Sequence, residues 1–457
     1  MKSSLLLLMV AGIPAMAQAS AELTAVQVPA APPAAVVKVA EPFTFADFTW
    51  LNGNPRTKDA PLDSKVFTGE FRADVNMVYD FNHPKDHTIV GSCETGRTNE
   101  IQVQQLGLGG DFHWENVRGR VMTQFGMYST MTPRNDASPS RGQWESDKAY
   151  RYVSEAYGGY HWDVLNGINL DAGIFMSYIG LFSYYNFDNW AYQPSYVSAN
   201  TPWFFNGLRL QVFPSDKLKL EFWLTNGWQS YNTFNNTPGI GACLNWRPTG
   251  DLNIISNNYV LGADTLGNQK RTRRHTDNSI QWKYYDKPES FISRMATSFT
   301  FDLGDEQGGG VSRSGNAAEP KQYFAGWMLY NRFWFKGDRH AITIGGGAIT
   351  NPGRYLVLVP PVNGATATSG TPYFTANPGD PFHAWDYTVT YDYMPSQFIT
   401  FRGEFNRRGA SVPYFSGENG ITPPGGNQGP LGSAVAGWAP DLRKTESRIN
   451  LALLVKL

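Results

Sequence analysis

From Val66 onward the chain alternates apolar and polar residues with a period of two. Phe67, Gly69, Phe71, Ala73, Val75, Met77 and Tyr79 fall on one side; Thr68, Glu70, Arg72, Asp74 and Asn76 fall on the other. Successive strand side chains point to opposite faces, so the pattern predicts a strand with one apolar and one charged face. A soluble sandwich and a membrane barrel both accept such a strand, and the connections separate them. Comparable segments recur near 98–114, 117–129, 150–162, 168–178, 201–213, 216–226, 238–246 and 251–262. Others follow at 276–285, 290–303, 321–335, 339–350, 384–393, 397–407 and 446–457, which with the first makes sixteen. Short joins such as Glu115-Asn116, Asp163–Gly167, Pro214-Ser215 and Lys336–Asp338 carry turn residues. They alternate with long ones, most clearly 130–149, 179–200, 304–320, 351–383 and 408–445. Short turns at one end and long loops at the other predict an all-β fold. It is a transmembrane antiparallel up-and-down β-barrel of about 16 strands, with short periplasmic turns and long extracellular loops.

Two further regularities fit that architecture. An aromatic residue stands just before each short turn: Trp114, Trp162, Phe213, Trp246, Tyr285, Phe335 and Tyr393. Such rings prefer the headgroup boundary, so they read as a girdle at one membrane edge. The chain also ends inside a strand, with Ile449, Leu451, Leu453, Val455 and Leu457 on one face. That strand is expected to pair with the first, because an open edge in lipid leaves backbone groups unsatisfied. Its last residue is Leu457, where barrels of this kind usually end in an aromatic.

The segments before the barrel are of other kinds. Lys2, the run Leu5–Val10 and the small-x-small site Ala15-Met16-Ala17 form a signal peptide over residues 1–17. Residues 18–65 are an Ala/Pro-rich leader followed by an aromatic segment, and the barrel is assigned to 66–457. Phe43, Phe45, Phe48 and Trp50 imply docking, either beneath the barrel or as a plug inside it. Composition agrees: charged residues are 17%, aromatics 14% and the formal net charge is −1. That balance offers no basic excess for nucleic acid, and no stretch beyond the signal is long enough for a membrane helix. Cys93 and Cys243 can form one bridge or remain two thiols; the spacing leaves both open.

Several stretches resemble the β-barrel porin-2 family, also called OmpL-like. They include Val153–Tyr157, Gly167–Ile174, Ser177–Gly180, Trp190–Tyr196, Leu224–Trp228, Tyr387–Tyr393 and Phe398–Phe405. The resemblance implies an outer-membrane porin: a water-filled channel for passive diffusion of small hydrophilic solutes. It names no solute. The runner-up is an exported adhesion or carbohydrate-binding β-protein acting through its long loops.

On a porin, the polar face of each strand becomes the lumen wall. Parity places there Glu70, Arg72, Asp74, Arg118, Arg120, Arg151, Glu155, Arg209, Lys219, Glu221, Arg294, Arg332, Arg402 and Glu404. Lys217, Lys283, Arg448, Lys456, Asp171 and Asp302 join them, and the basic excess of the set predicts weak anion preference. The loop 179–200 follows the fifth strand, where sixteen-stranded porins fold a constriction loop inward. Tyr184, Tyr185, Asp188 and Trp190 would narrow the pore there and stack on flat solutes. The basic run Gln269–His275 falls on a long outer loop, either solvated or bound to lipopolysaccharide phosphates. No hydrolase elbow, zincin or Walker motif is present, so no enzyme activity and no cofactor are expected. His83 and His87, with Asp80 and Asp86, are too few and too loosely placed to predict a metal site. Expected partners are outer-membrane lipid and lipopolysaccharide, the barrel-assembly machinery, small hydrophilic solutes and two further copies in a homotrimer.

Overall fold

The computed structural model describes residues 41–92, 94–133, 136, 143–263, 269–316, 321–353, 381–419 and 441–457. The signal segment, the leader before residue 41 and Cys93 lie outside the described residues. Cys243 is a buried free thiol.

Sixteen strands close into one barrel. They are β1 (Phe67–Asp80), β2 (Ile101–Trp114), β3 (Val117–Thr123), β4 (Val153–Trp162), β5 (Ile168–Met176), β6 (Phe204–Ser215), β7 (Leu218–Thr225) and β8 (Gly239–Thr249). They continue with β9 (Leu252–Gly262), β10 (Thr272–Asp286), β11 (Ile292–Gln307), β12 (Tyr323–Phe335), β13 (His340–Asn351), β14 (Phe382–Ser396), β15 (Ile399–Ala410) and β16 (Thr445–Lys456). Each pairs antiparallel with its chain neighbours, and β16 pairs with β1 from Arg72↔Lys456 to Asp80↔Arg448. The seam extends to the last residue. Phe71 and Leu457 exchange both backbone bonds, at 3.1 and 2.9 Å. Closure satisfies every strand edge, which an apolar surrounding requires.

The two-residue alternation is visible in the burial of each strand. On β14 every second residue is buried, with Asp386, Thr388, Thr390 and Asp392 inside and Trp385, Tyr387, Val389, Tyr391 and Tyr393 outside. The outer wall is accordingly apolar, carrying Phe222, Ile344, Phe401 and Leu451 among many others.

Three expectations need correction. The third strand stops at Thr123 rather than 129, and the chain turns into a short helix, Tyr128–Met131. Arg151 precedes β4 instead of lying within it, so strand parity does not apply to it. The run Gln269–His275 is mostly strand, because β10 begins at Thr272. Arg271 and Arg273 turn inward onto Glu306, and Arg274 turns outward onto Asp305. Every second basic residue there follows the strand period, which a run read as a loop conceals.

The interior is occupied rather than empty. The connection between β5 and β6 folds inward and carries a short helix, Tyr196–Ala199, against β12, β13 and β14. Gly326 and Gly347 make room for it: a Cβ on either would lie 2.7 Å from Val197 or Ser195. At the short-turn end lies the N-terminal segment, with one 3-10 turn at Thr49–Leu51. Most of the buried apolar side chains belong to this inner filling and the wall that faces it.

A charge placed on the outer wall tests which side meets hydrocarbon. Leu451→Arg, on the exposed face of β16, should lower stability by about 2–4 kcal/mol if the residue sits near the bilayer midplane. Urea unfolding of the barrel in lipid vesicles measures this; an unchanged midpoint rejects the outward assignment.

Candidate functional site

The wall supplies charges and the inward loop supplies backbone groups. Asp392 on β14 holds two arginines of the wall, Arg402 from the adjacent β15 and Arg332 from β12, one strand beyond β13. Arg402 Nε donates to it at 2.6 Å and Arg332 Nη2 at 2.7 Å, and all three side chains are fully buried. Further guanidinium N–H groups of both point at the loop. Arg402 donates to the carbonyls of Asn186 and Asn189 at 3.1 and 2.7 Å, and Arg332 donates to that of Trp190 at 3.0 Å. Carboxylates take the loop's amides in return. Glu404 accepts from the N–H groups of Tyr192 and Gln193 at 2.6 and 2.9 Å. Asp386 accepts from the Ser195 hydroxyl and the Tyr196 N–H at 2.7 and 3.0 Å.

Farther round the ring, β16, β1 and β4 hold the loop as well. Arg72 pairs with Asp188 at 2.8 Å and lies over the Tyr185 ring, and Lys456 reaches Asp188 at 3.3 Å. Asp74 accepts from Asn186 Nδ2 at 2.9 Å and from the Tyr192 hydroxyl at 2.8 Å. Tyr185 donates to Glu155 at 2.7 Å. The loop therefore leaves the wall at β5, reaches β1 and the β14–β16 wall, and returns at β6. It crosses the interior. Such charge-assisted bonds, withdrawn from water, are among the stronger ones available.

The other predicted wall residues also point inward and are paired. Arg120 bridges Glu70, Asp111 and Glu155 at 2.8, 2.7 and 2.9 Å. Arg209 and Arg118 share Asp171, Lys219 meets Glu221 at 2.8 Å, and Arg294 lies near Asp338 at 3.4 Å. Arg151, outside the strand, offers its carbonyl to Gln124.

Tyr184, Tyr185 and Trp190 are buried, packed on Trp203, Arg72 and Trp334 respectively. Their rings are engaged with protein, so the expected stacking on solutes is not available to them in this arrangement. The aromatics before the short turns divide. Trp114, Trp162, Trp246 and Tyr393 are exposed on the outer wall, Tyr285 and Phe335 are half-buried, and Phe213 meets Phe43 edge-on. Asp386 and Asp392 were missed by the sequence reading, as was the buried pair of Arg408 on β15 with Glu446 on β16. Asp386 and Asp392 lie in the alternation of β14, and parity applied to every strand would have found them.

The N-terminal segment completes the site. Trp50 is fully buried and donates from Nε1 to the Gly250 carbonyl at 2.9 Å. Burial of Asp47 raises its pKa, but bonds from the Thr49 hydroxyl and amide and from Lys58 prevail and hold the carboxyl down to about 2. Among the described residues no group of three or more His, Cys, Asp or Glu side chains is placed to hold a metal ion.

The two arginines on Asp392 can be tested directly. Arg402→Met removes two loop carbonyl bonds and half of the charge compensation on a buried carboxylate, so a loss of about 3 kcal/mol is expected in urea unfolding. Arg407→Met, on the same strand but paired outward with Ser447, should stay within about 0.5 kcal/mol. Equal effects from the two would show that the inward network does not hold the loop.

Among solved structures the barrel is similar to several outer-membrane proteins at low identity. The outer-membrane channel DcaP of Acinetobacter baumannii has 12% identity and a TM-score of 0.48, covering 87% of this chain and 100% of that one. An anion-selective porin from Comamonas acidovorans has 9% identity and a TM-score of 0.48, covering 86% and 99%. OmpT of Vibrio cholerae in its trimer form has 8% identity and a TM-score of 0.47, covering 86% and 100%. No curated protein matches the sequence. The family described as Putative beta-barrel porin-2, OmpL-like, matches residues 72–434, from the inward Arg72 of the first strand into the last long loop. This chain, a closed sixteen-stranded barrel of the bacterial outer membrane, belongs to that porin family.

Proposed function

We propose that this outer-membrane porin passes small hydrophilic solutes by diffusion through a water-filled passage, with the loop between β5 and β6 as its constriction. The observation that carries the reading is the path of that loop. It crosses the interior from β5 and is fastened to the opposite arc of the wall by buried charges, from Arg332, Asp386, Arg402 and Glu404 on β12 to β15 round to Arg72 and Asp74 on β1. A polar lumen with a fixed narrowing selects by diameter and wall charge. Outer-membrane lipid and lipopolysaccharide as surroundings, insertion by the barrel-assembly machinery and a homotrimeric assembly belong to the same reading.

Ion preference depends on which charges remain available to a solute. Arg332 and Arg402 are fully buried in pairs with Asp392 and loop carbonyls, so the basic excess of the wall overstates the positive charge that a passing ion meets. Arg118, Lys219 and Lys456 keep 32%, 23% and 26% of their side chains exposed. They are paired with Asp171, Glu221 and Asp188 but lie near the short turns, and their partial exposure supports a weak anion preference set at the periplasmic mouth.

Deleting Tyr184–Trp190 should raise single-channel conductance in planar bilayers, and an unchanged conductance would refute the constriction. Replacing Arg118, Lys219 and Lys456 together by Gln should move the reversal potential toward cation preference. Clear cation selectivity of the unaltered protein would reject the charge assignment.

A further inference from the structure

The N-terminal segment crosses the short-turn mouth from one side of the ring to the other. Phe43 N–H donates to the Asp216 carbonyl at 2.7 Å, in the β6–β7 turn, and Trp50 Nε1 reaches Gly250 in the β8–β9 turn. Asn54 Nδ2 then donates to the Ser396 carbonyl at 3.0 Å and Thr57 Oγ1 to that of Gln397 at 2.5 Å, both at the β14–β15 turn. In a closed ring of sixteen strands, β7 and β14 stand on nearly opposite sides. A chain fastened to both has to span the opening between them.

Midway, the segment meets the constriction loop. Gly53 N–H donates to the Asp188 carbonyl at 2.8 Å, and the Gly53 carbonyl accepts from Arg332 Nη2 at 2.7 Å. The same guanidinium holds the Trp190 carbonyl, so one buried side chain joins wall, loop and N-terminal segment. The fit at Gly53 excludes any side chain: a Cβ there would lie 2.5 Å from the carbonyl oxygens of both Phe187 and Asn189. Beside this junction Leu51, Phe182 and Trp190 face Gln281 and Ser298 across a cavity of about 30 Å³.

The anchors of the segment differ from those of the loop. The loop is held by many buried charge-assisted bonds to its backbone and by the Arg72–Asp188 pair. The segment has one such bond, from Arg332 to Gly53, and otherwise rests on single hydrogen bonds to turn carbonyls and on the Arg247 guanidinium over Phe43 and Phe48, at 4.4 and 4.6 Å. Its own ion pair, Lys58–Asp47, is largely exposed and contributes little. Displacing the segment breaks no barrel pairing.

We propose that residues 41–59 are an internal plug that, with the loop between β5 and β6, determines the size of solute admitted at the short-turn mouth. The proposal rests on the channel reading above. The test compares three purified proteins in planar bilayers and in liposome swelling with graded neutral sugars: the unaltered chain, a deletion of residues 43–58, and Gly53→Val. Both altered proteins should conduct about twofold more or better, and should admit larger sugars, because a passage widens when an obstruction leaves it. Gly53→Val leaves the barrel wall intact and serves where the deletion does not assemble. Conductance and sugar cut-off equal to those of the unaltered chain overturn the plug. If deletion of Tyr184–Trp190 raises conductance while removal of the segment does not, the plug alone falls. If none of the proteins conducts, the channel reading falls and the plug falls with it.

Discussion

Asp392 sits between Arg332 and Arg402 with no solvent reaching any of the three, and the interior of the barrel is organised around that contact. Closing an antiparallel sheet removes its edges and divides its side chains between lipid and lumen. Charges on the inner face then require partners, since an ion taken out of water without compensation is strongly disfavoured. One carboxylate cannot satisfy two guanidinium groups. Their remaining donors take up the carbonyls of Asn186, Asn189, Trp190 and Gly53, and the inner segments are drawn into place.

This explains how a long loop acquires one conformation inside a cylinder. Its aromatic residues alone would pack in many ways. Backbone carbonyls directed at arginines, and backbone N–H groups directed at Glu404 and Asp386, select one of them. The wall contributes space as well as charge, since Gly326 and Gly347 admit the helix Tyr196–Ala199 where larger residues would exclude it. Electrostatic pairing and close approach are thus parts of one arrangement, both facing inward from β12 to β15.

The two inner segments are held differently, and the difference has functional consequences. The loop between β5 and β6 is covalently continuous with the wall at both ends and is fastened by buried charges. The N-terminal segment continues into the barrel at its C-terminal end and rests mainly on turn carbonyls, with Gly53 alone held by a buried guanidinium. In the proposed channel the loop is the fixed narrowing and the N-terminal segment an obstruction of lower cohesion. Among the inward charges of the wall, Arg118 and Lys219 near the short turns keep part of their side chains exposed.

Much of this was legible in the chain. Period-two alternation gave all sixteen strands, and the contrast of short and long joins gave their up-and-down order, because a barrel in lipid must keep one face apolar along every strand. The inward side of Glu70, Arg72, Asp74, Arg120 and Glu404 followed from parity. Parity failed where no strand exists, at Arg151, and the strand period was overlooked in the run Gln269–His275. What a single sequence does not carry is the meeting of residues distant along the chain. Arg332 with Gly53, Glu404 with Tyr192 and Asp74 with Asn186 become neighbours only when the sheet closes and the loop enters it. Local periodicity therefore decided the cylinder, whereas its filling was decided by long-range pairing of buried charges with backbone groups.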